Sequence, residues 1–345
     1  MSVESLVRPN ILALKPYSSA RSEFKGKASI FLDANESAFN NGLNRYPDPL
    51  QQQLKAALSP IKGVPPANIF LGNGSDEVID LLIRIFCEPK QDQIIILPPT
   101  YGMYQVSADI SNVGIVRIPL TPDFHPKPKD ILAAVSPHTK LLFLCTPNNP
   151  TGNSFNPEIV EEILQQFPGI VVIDEAYIDF ASTPSYARWL ERFPRLVIMQ
   201  TFSKAWGLAA IRLGMAFASE TIIQLMNKVK PPYNVNQLTQ STALEALQQH
   251  EQTQARIEHL LVARKTLAQR IAELPYVEKV FPSDANFLLV KMQSPNELYH
   301  YLTNKSIVVR NRSNLQLCNG CLRITIGTPT ENKHLLLALA AYPSA

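Results

Sequence analysis

The 345-residue sequence predicts an α/β protein: a large doubly wound domain with a mainly parallel sheet, then a smaller α+β domain. Three observations predict it. Six short apolar runs, QIIIL (93–97), GIVRI (114–118), KLLFLC (140–145), GIVVID (169–174), LVIMQ (196–200) and GMAFA (214–218), are nearly continuous, as strands buried on both faces must be. Helix-like amphipathic segments lie between several of them, the rhythm of βα units. Beyond residue 234 this rhythm gives way to a long helical stretch and then to strands and helices of another spacing.

Taken in order, FLGNGSDEVIDLLIRIF (70–86) reads as a glycine-rich turn opening an apolar-periodic helix, with Ser75 as a possible N-cap. In NPEIVEEILQQF (156–167), Asn156 suits a cap and Pro157 the first helical position. The stretch 234–273 has no internal proline or glycine and is too long for one ordinary helix, so a break is expected. VEKVF, NFLLVKM, SIVVR and LRITI then read as strands, with helices at 295–304 and 330–341. The expected organisation is an N-terminal arm over 1–40 that contributes to the small domain, a large domain over 41–262 and a small domain over 263–345.

Composition narrows the class. Apolar residues make up 46% and charged residues 18%, which describes a globular chain. A net charge of +3 without any lysine/arginine block argues against nucleic acid or an anionic membrane as partner. The start lacks the apolar core of a signal peptide, and no apolar run approaches a membrane span, so a cytoplasmic protein is expected. Cys318 and Cys321 form a C-x-x-C, but no second ligand pair accompanies them and the segment continues as a strand, so no metal is expected and the pair reads as a turn.

Ligands of open α/β sheets collect beyond the carboxyl ends of the strands. The turn at Gly74, Ser75 and Asp76 offers free N–H groups to an anion. TPNNPTG (146–152) places the amides of Asn148 and Asn149 after one strand, and DEAY (174–177) places two carboxylates after the next. Apolar residues followed by Asp-Glu also fit the magnesium-binding strand of an ATPase. The companion loop G-x-x-x-x-G-K-[ST] is missing, so no triphosphate cradle exists. In QTFSKAWGLAAIRLG (200–214), Lys204 has no acidic neighbour in sequence and lies among small and apolar residues, with Arg212 eight residues on.

One chemistry uses an anion-binding turn, an amide, an aspartate, a tyrosine and an isolated lysine together. Pyridoxal 5′-phosphate needs a lysine for its aldehyde, an acid opposite its ring nitrogen and donors for its phosphate. An apolar setting disfavours the ammonium form, and only the neutral amine attacks an aldehyde.

NNPTG, DEAY and SKAWGLAAIRLG, in this order and spacing, resemble the fold-type I, aspartate-aminotransferase-like PLP-dependent enzymes, in their class-II group. KPYSSAR, LDANES, NRYPDP, GNGSDE, LPPTYGMY and CLRITIGT extend the resemblance over nearly the entire chain, and most resemble the branch acting on histidinol phosphate. The resemblance implies that Lys204 binds the cofactor covalently, that Asp174 pairs with the pyridine nitrogen, and that Asn149 and Tyr177 hydrogen-bond the ring oxygen. It implies that Tyr101 stacks on the ring, and that Gly74, Ser75, Asp76, Ser203 and Arg212, with Thr201, hold the phosphate. Tyr46 would reach the cofactor of a neighbouring subunit in a homodimer. Trp206 and Ala210 stand where phenylalanine and glycine are common, and PYSSAR differs from the usual PYxPG; none of these removes a reacting group.

The activity so implied is ping-pong transamination between histidinol phosphate and 2-oxoglutarate, giving imidazole-acetol phosphate and glutamate. Arg310 and Arg323 are the candidates for the substrates' anionic groups, because a planar fork of donors suits carboxylate and phosphate alike, with Tyr17 and Asn35 completing the pocket. Rival readings are an aromatic aminotransferase or a threonine-phosphate decarboxylase of the same fold. A non-catalytic regulator is the rival from another class, but the short N-terminus has no room for a DNA-binding module.

Overall fold

A computed structural model describes residues 2–18, 23, 24, 26 and 28–343; residues 19–21 of the KPYSSAR motif lie outside them. Seven strands form the large sheet: β1 (Ile69–Asn73), β2 (Gln93–Ile96), β3 (Gly114–Arg117), β4 (Thr139–Cys145), β5 (Ile170–Asp174), β6 (Leu196–Thr201) and β7 (Leu213–Ala218). Their order is β1-β7-β6-β5-β4-β2-β3. The pairs from β3 through β6 are parallel, while β7 runs antiparallel to both β6 and β1.

Side chains on a strand alternate between faces, so a strand covered on both sides must be apolar throughout. In β5, Val171 and Ile173 enter one core cluster, while Ile170 and Val172 enter the other on the opposite face. The six apolar runs read from sequence are all strands, with ends shifted by a residue.

Strand β1 corrects the reading of 70–86, where only a turn and a helix are visible in sequence. Phe70 and Leu71 pair with Ala216 and Met215, and burial on both faces stabilises a strand too short to show a period. Ser75 is not the cap of the helix Ser75–Phe86 but its first residue; Gly74, at φ 77°, is the cap.

The long helical stretch breaks at Gln249 into Gln237–Gln248 and His250–Ala272. The boundary expected between 262 and 263 falls inside the second of these helices. Ile257 packs in the core of the large sheet, while Leu267 and Ile271 pack in a third cluster. That third core covers a four-stranded antiparallel sheet of β8 (Val277–Val280), β9 (Phe287–Met292), β10 (Arg310–Asn311) and β11 (Cys321–Thr325), ordered β10-β11-β9-β8.

SIVVR contributes only Arg310 to a strand, a second correction. Ser306 takes φ 60° and the Ile307 N–H donates to the Leu302 carbonyl, so the segment closes off the helix Pro295–Asn304 before it can extend.

Candidate active site

Topology brings five separate segments to one edge of the large sheet. Strands β4, β5 and β6 are parallel, and β1 runs with them because two antiparallel steps separate it from β6. Their carboxyl ends therefore share an edge, at Cys145, Asp174, Thr201 and Asn73, and β7 starts there, just after Arg212. A cleft of about 620 Å³ opens at this edge, closed on its other side by residues of β10 and β11.

At one end of the cleft lies the turn from β1 into the helix Ser75–Phe86. The first N–H groups of a helix have no intrahelical acceptor, so those of Ser75 and Asp76 face the cleft as donors. The turn is pressed against β7, where a Cβ on Gly214 would lie 2.2 Å from the Ser75 nitrogen. Glu77 pins the same turn by accepting from the Asn73 N–H and, at 3.0 Å, from Asn234 Nδ2.

Arg212, held at φ 54°, points its guanidinium back over Gly74 to within 3.6 Å of the Asp76 carboxylate. Gly74 at φ 77° holds a conformation that L side chains rarely adopt, and a Cβ there would lie 2.7 Å from Arg212 Nη2 and displace the guanidinium. The hydroxyls of Thr201 and Ser203 lie 3.0 Å apart beside this cradle.

Asp174, at the end of β5, is the cleft's buried carboxylate. Burial pushes its pKa up, opposed by donation from Tyr104 Oη at 2.6 Å and from the Ala176 N–H at 3.0 Å. The neighbouring Glu175 points away and accepts from Ser185, the Tyr186 N–H and Gln200, which fixes the chain on either side of Asp174.

Lys204 follows β6. Its side chain is accessible from the cleft, so apolar neighbours in sequence do not enclose it. Partial burial still pushes its pKa down, helped by the positive field of Arg323 and Arg212 and opposed by Asp174. Its Nζ lies 5.7 Å from the centre of the Tyr177 ring.

Asn149 is a junction between the two sheets. Its Oδ1 accepts from Arg323 Nη1 at 2.6 Å, and its Nδ2 donates to Tyr177 Oη at 3.4 Å. Asn148 instead serves the loop, donating to the Pro99 carbonyl and to Thr151 Oγ1. Tyr101 hydrogen-bonds Asp76 at 3.1 Å and meets Tyr104 edge to face. Burial raises the pKa of both Tyr101 and Tyr177, so each phenol keeps its proton.

The cleft thus gathers Ser75, Asp76, Tyr101, Asn149, Asp174 and Tyr177, together with Thr201, Ser203, Lys204, Arg212, Arg310 and Arg323; Gly74 forms the turn beneath them. It does not gather Tyr17, Asn35 or Tyr46. Tyr17 is 75% exposed, and Asn35 and Tyr46 line a separate cleft, where Tyr46 stacks on Tyr233 at 4.4 Å.

Sequence reasoning passed over Tyr104 and Arg312. Tyr104 stands three residues after Tyr101, and Arg312 two after Arg310, spacings that share a helix or strand face. Cys318 and Cys321 are buried free thiols in the turn leading into β11, and no metal-ligand cluster occurs among the described residues.

Residues 24–339 match the family model described as aminotransferase class I and II. The chain is 52% identical to the histidinol-phosphate aminotransferase of Cytophaga hutchinsonii, over 99% of each protein. Its fold superposes on the histidinol-phosphate aminotransferase of Clostridium acetobutylicum with a TM-score of 0.77, at 25% identity, covering 86% of this chain and 90% of that one. Against the Sinorhizobium meliloti histidinol-phosphate aminotransferase, solved in complex with pyridoxal-5′-phosphate, the TM-score is 0.78 at 24% identity, covering 86% and 82%.

Proposed function

The chain belongs to the class I and II aminotransferase family, and from that premise we propose that it exchanges an amino group between histidinol phosphate and 2-oxoglutarate in histidine biosynthesis. The cofactor is pyridoxal 5′-phosphate. The observation that carries the reading is the pairing of Lys204 with buried Asp174 in one cleft, flanked by an anion cradle at one end and arginines at the other.

The donor set fits the cofactor. The space over Gly74 is bounded by helix N–H groups, two hydroxyls and Arg212, a set of donors suited to a phosphate. Asp174 suits a ring cation, since a buried carboxylate stays charged only opposite positive charge or strong donors. When bound, the cofactor supplies an aldehyde that takes up amines and a cationic ring that withdraws electrons from the neighbouring carbon.

The protein's own groups supply the rest. Tyr104 and the Ala176 N–H favour the ionised form of Asp174 against its burial and fix the carboxylate in place. Lys204, its proton loosened by burial, Arg323 and Arg212, takes the proton from the amine-bearing carbon of the substrate at Nζ and later returns one. Tyr177 and Asn149 present donors from the same side, and Tyr101 provides an aromatic face. Arg323, anchored on Asn149, and Arg310 receive the anionic ends of the substrates.

A cytoplasmic homodimer belongs to this reading. It is supported by the apolar side chains that residues 12–50 turn outward, among them Leu32 at 91% and Phe39 at 86% exposure, more than a lone chain keeps in water without reason. Tyr46 and Asn35 lie on that outward cleft, where a partner subunit would close it, and Tyr17 belongs to the same segment. Among the described residues no helix is long and apolar enough to cross a membrane.

The test is a two-step titration of the cofactor-loaded protein. Glutamate should change its visible spectrum, and imidazole-acetol phosphate, added after glutamate is removed, should restore it. Restoration by an aromatic 2-oxo acid alone would make the chain an aromatic aminotransferase instead.

A further inference from the structure

We propose that Arg312 is a third anion-binding arginine of this cleft and that it discriminates phosphate esters from carboxylates. The inference rests on the transaminase reading above and adds to it the residue that selects the phosphorylated substrate.

Register is the first argument. Arg310 on β10 lies directly opposite Arg323 on β11, and the Arg312 N–H donates to the Cys321 carbonyl. Arg312 lies one residue beyond β10, but this bond carries the pairing on to it. Residues two apart on extended backbone share a face, so Arg312 follows Arg310 along the same wall, displaced by roughly 6–7 Å. All three arginines line the cleft.

Charge is the second. Like charges facing one another across a sheet destabilise it. Among the described residues no carboxylate forms an ion pair with Arg310, Arg312 or Arg323. Burial pushes the pKa of Arg312 down, and the charges of Arg323 and Arg310 push it further. Three cations held together without an internal counter-charge are a cost to folding that an incoming anion relieves.

Hydrogen bonding is the third. Arg323 already commits Nη1 to Asn149, whereas the Nε of Arg312 is buried with no partner among the described residues. A carboxylate offers two oxygens and is satisfied by one guanidinium fork. A phosphate ester concentrates nearly two charges and three acceptor oxygens on one centre near neutral pH, and can engage several forks at once. Arg310 with Arg323 is enough for the first; the free donors of Arg312 suit the second.

The experiment compares the holoenzyme with Arg312→Gln and Arg312→Lys in separate half-reactions with histidinol phosphate and with glutamate. A parallel arm measures binding of inorganic phosphate to each holoenzyme by calorimetry. For Arg312→Gln, kcat/KM with histidinol phosphate should fall roughly 10- to 100-fold more than with glutamate, and phosphate affinity should fall similarly. Arg312→Lys, which keeps the charge but loses the fork, should fall between and controls for a folding defect. Equal losses in both half-reactions with phosphate binding unchanged would overturn the role of Arg312 and leave the transaminase reading standing. A wild-type protein inert to histidinol phosphate, yet binding inorganic phosphate through Arg312, would overturn the substrate reading and support the anion site.

Discussion

Tyr104 Oη donates to Asp174 Oδ2 at 2.6 Å, and both side chains are buried. Tyr104 also stacks on Phe143 at 4.6 Å, so its ring is fixed by packing and its hydroxyl by the carboxylate. This donor lowers the pKa of a carboxylate that burial raises. Tyr104→Phe keeps the stack and removes the donor, so Asp174 should take up a proton at a higher pH. Activity should drop roughly 10-fold at neutral pH, and the acidic limb of the pH–rate profile should move upward. An unmoved acidic limb would show that Tyr104 only fills space.

Lys204→Ala should leave the melting temperature within a few degrees, because the side chain faces the cleft and, among the described residues, no group hydrogen-bonds to its amine. Turnover should fall by about three orders of magnitude or more, since the proposed covalent anchor and proton carrier would both be lost. Added methylamine, a small external base, should restore part of the rate. Retention of a tenth of the activity would remove Lys204 from its assigned role.

Gly214 tests the cradle from behind. A Cβ there would lie 2.2 Å from the Ser75 nitrogen and 2.3 Å from the Gly74 carbonyl carbon, neither of which is a flexible end. Gly214→Ala should therefore push the Gly74–Ser75 turn into the cleft. Stability should fall by about 1–3 kcal/mol in urea unfolding, and the cofactor dissociation constant should rise roughly 10-fold. A stable variant with unchanged cofactor affinity would show that the turn is not held from β7.

Much of this site is legible in the chain because its parts are local. Asp174 and Thr201 terminate apolar runs, and a run's end is where an open sheet exposes its chemistry. Lys204 and Arg212 follow within one loop. The rest depends on distance in sequence. Strand β1 reads as a turn because its two large apolar side chains need β7 beside them. Tyr104 looks like a core residue until Asp174, seventy residues away, is placed against it. The wall of Arg310, Arg312 and Arg323 exists only once β10 and β11 pair. Tyr17, Asn35 and Tyr46 carry motifs but do not line the cleft of their own chain, since Tyr17 is exposed and the other two border a separate cleft.

The C-x-x-C pair should be chemically silent. Burial pushes Cys318 up to about 12 and Cys321 up to about 11, and raises Cys87 and Cys145 further. The thiolate is the reactive form, so at pH 8 a thiol reagent should find almost none in the native protein. All four cysteines should titrate after denaturation. Rapid native labelling at Cys318 or Cys321 would mark the turn as one that opens.

Lys55 links the fold to pH. It is buried on the helix Gln52–Lys62, and burial, with the charge of Lys230 beside it, lowers its pKa from 10.5 to about 8. Lys230, whose Nζ donates to the carbonyls of Pro49, Pro231 and Pro232, is likewise lowered by burial to about 8. The folded protein therefore holds the Lys55 proton more weakly than the unfolded chain does. Below pH 8 both states are protonated and the full cost of burying the ammonium opposes folding; between pH 8 and 10.5 the folded state releases its proton first and that cost declines. Lys55→Met keeps the length of the side chain and removes the charge. It should raise the unfolding free energy at pH 7 by on the order of 2 kcal/mol, with a gain that shrinks towards pH 9.5. Urea unfolding at the two pH values measures this directly. A gain of equal size at both would assign the effect to packing, and a loss at pH 7 would mean that the Lys55 ammonium holds a stabilising contact.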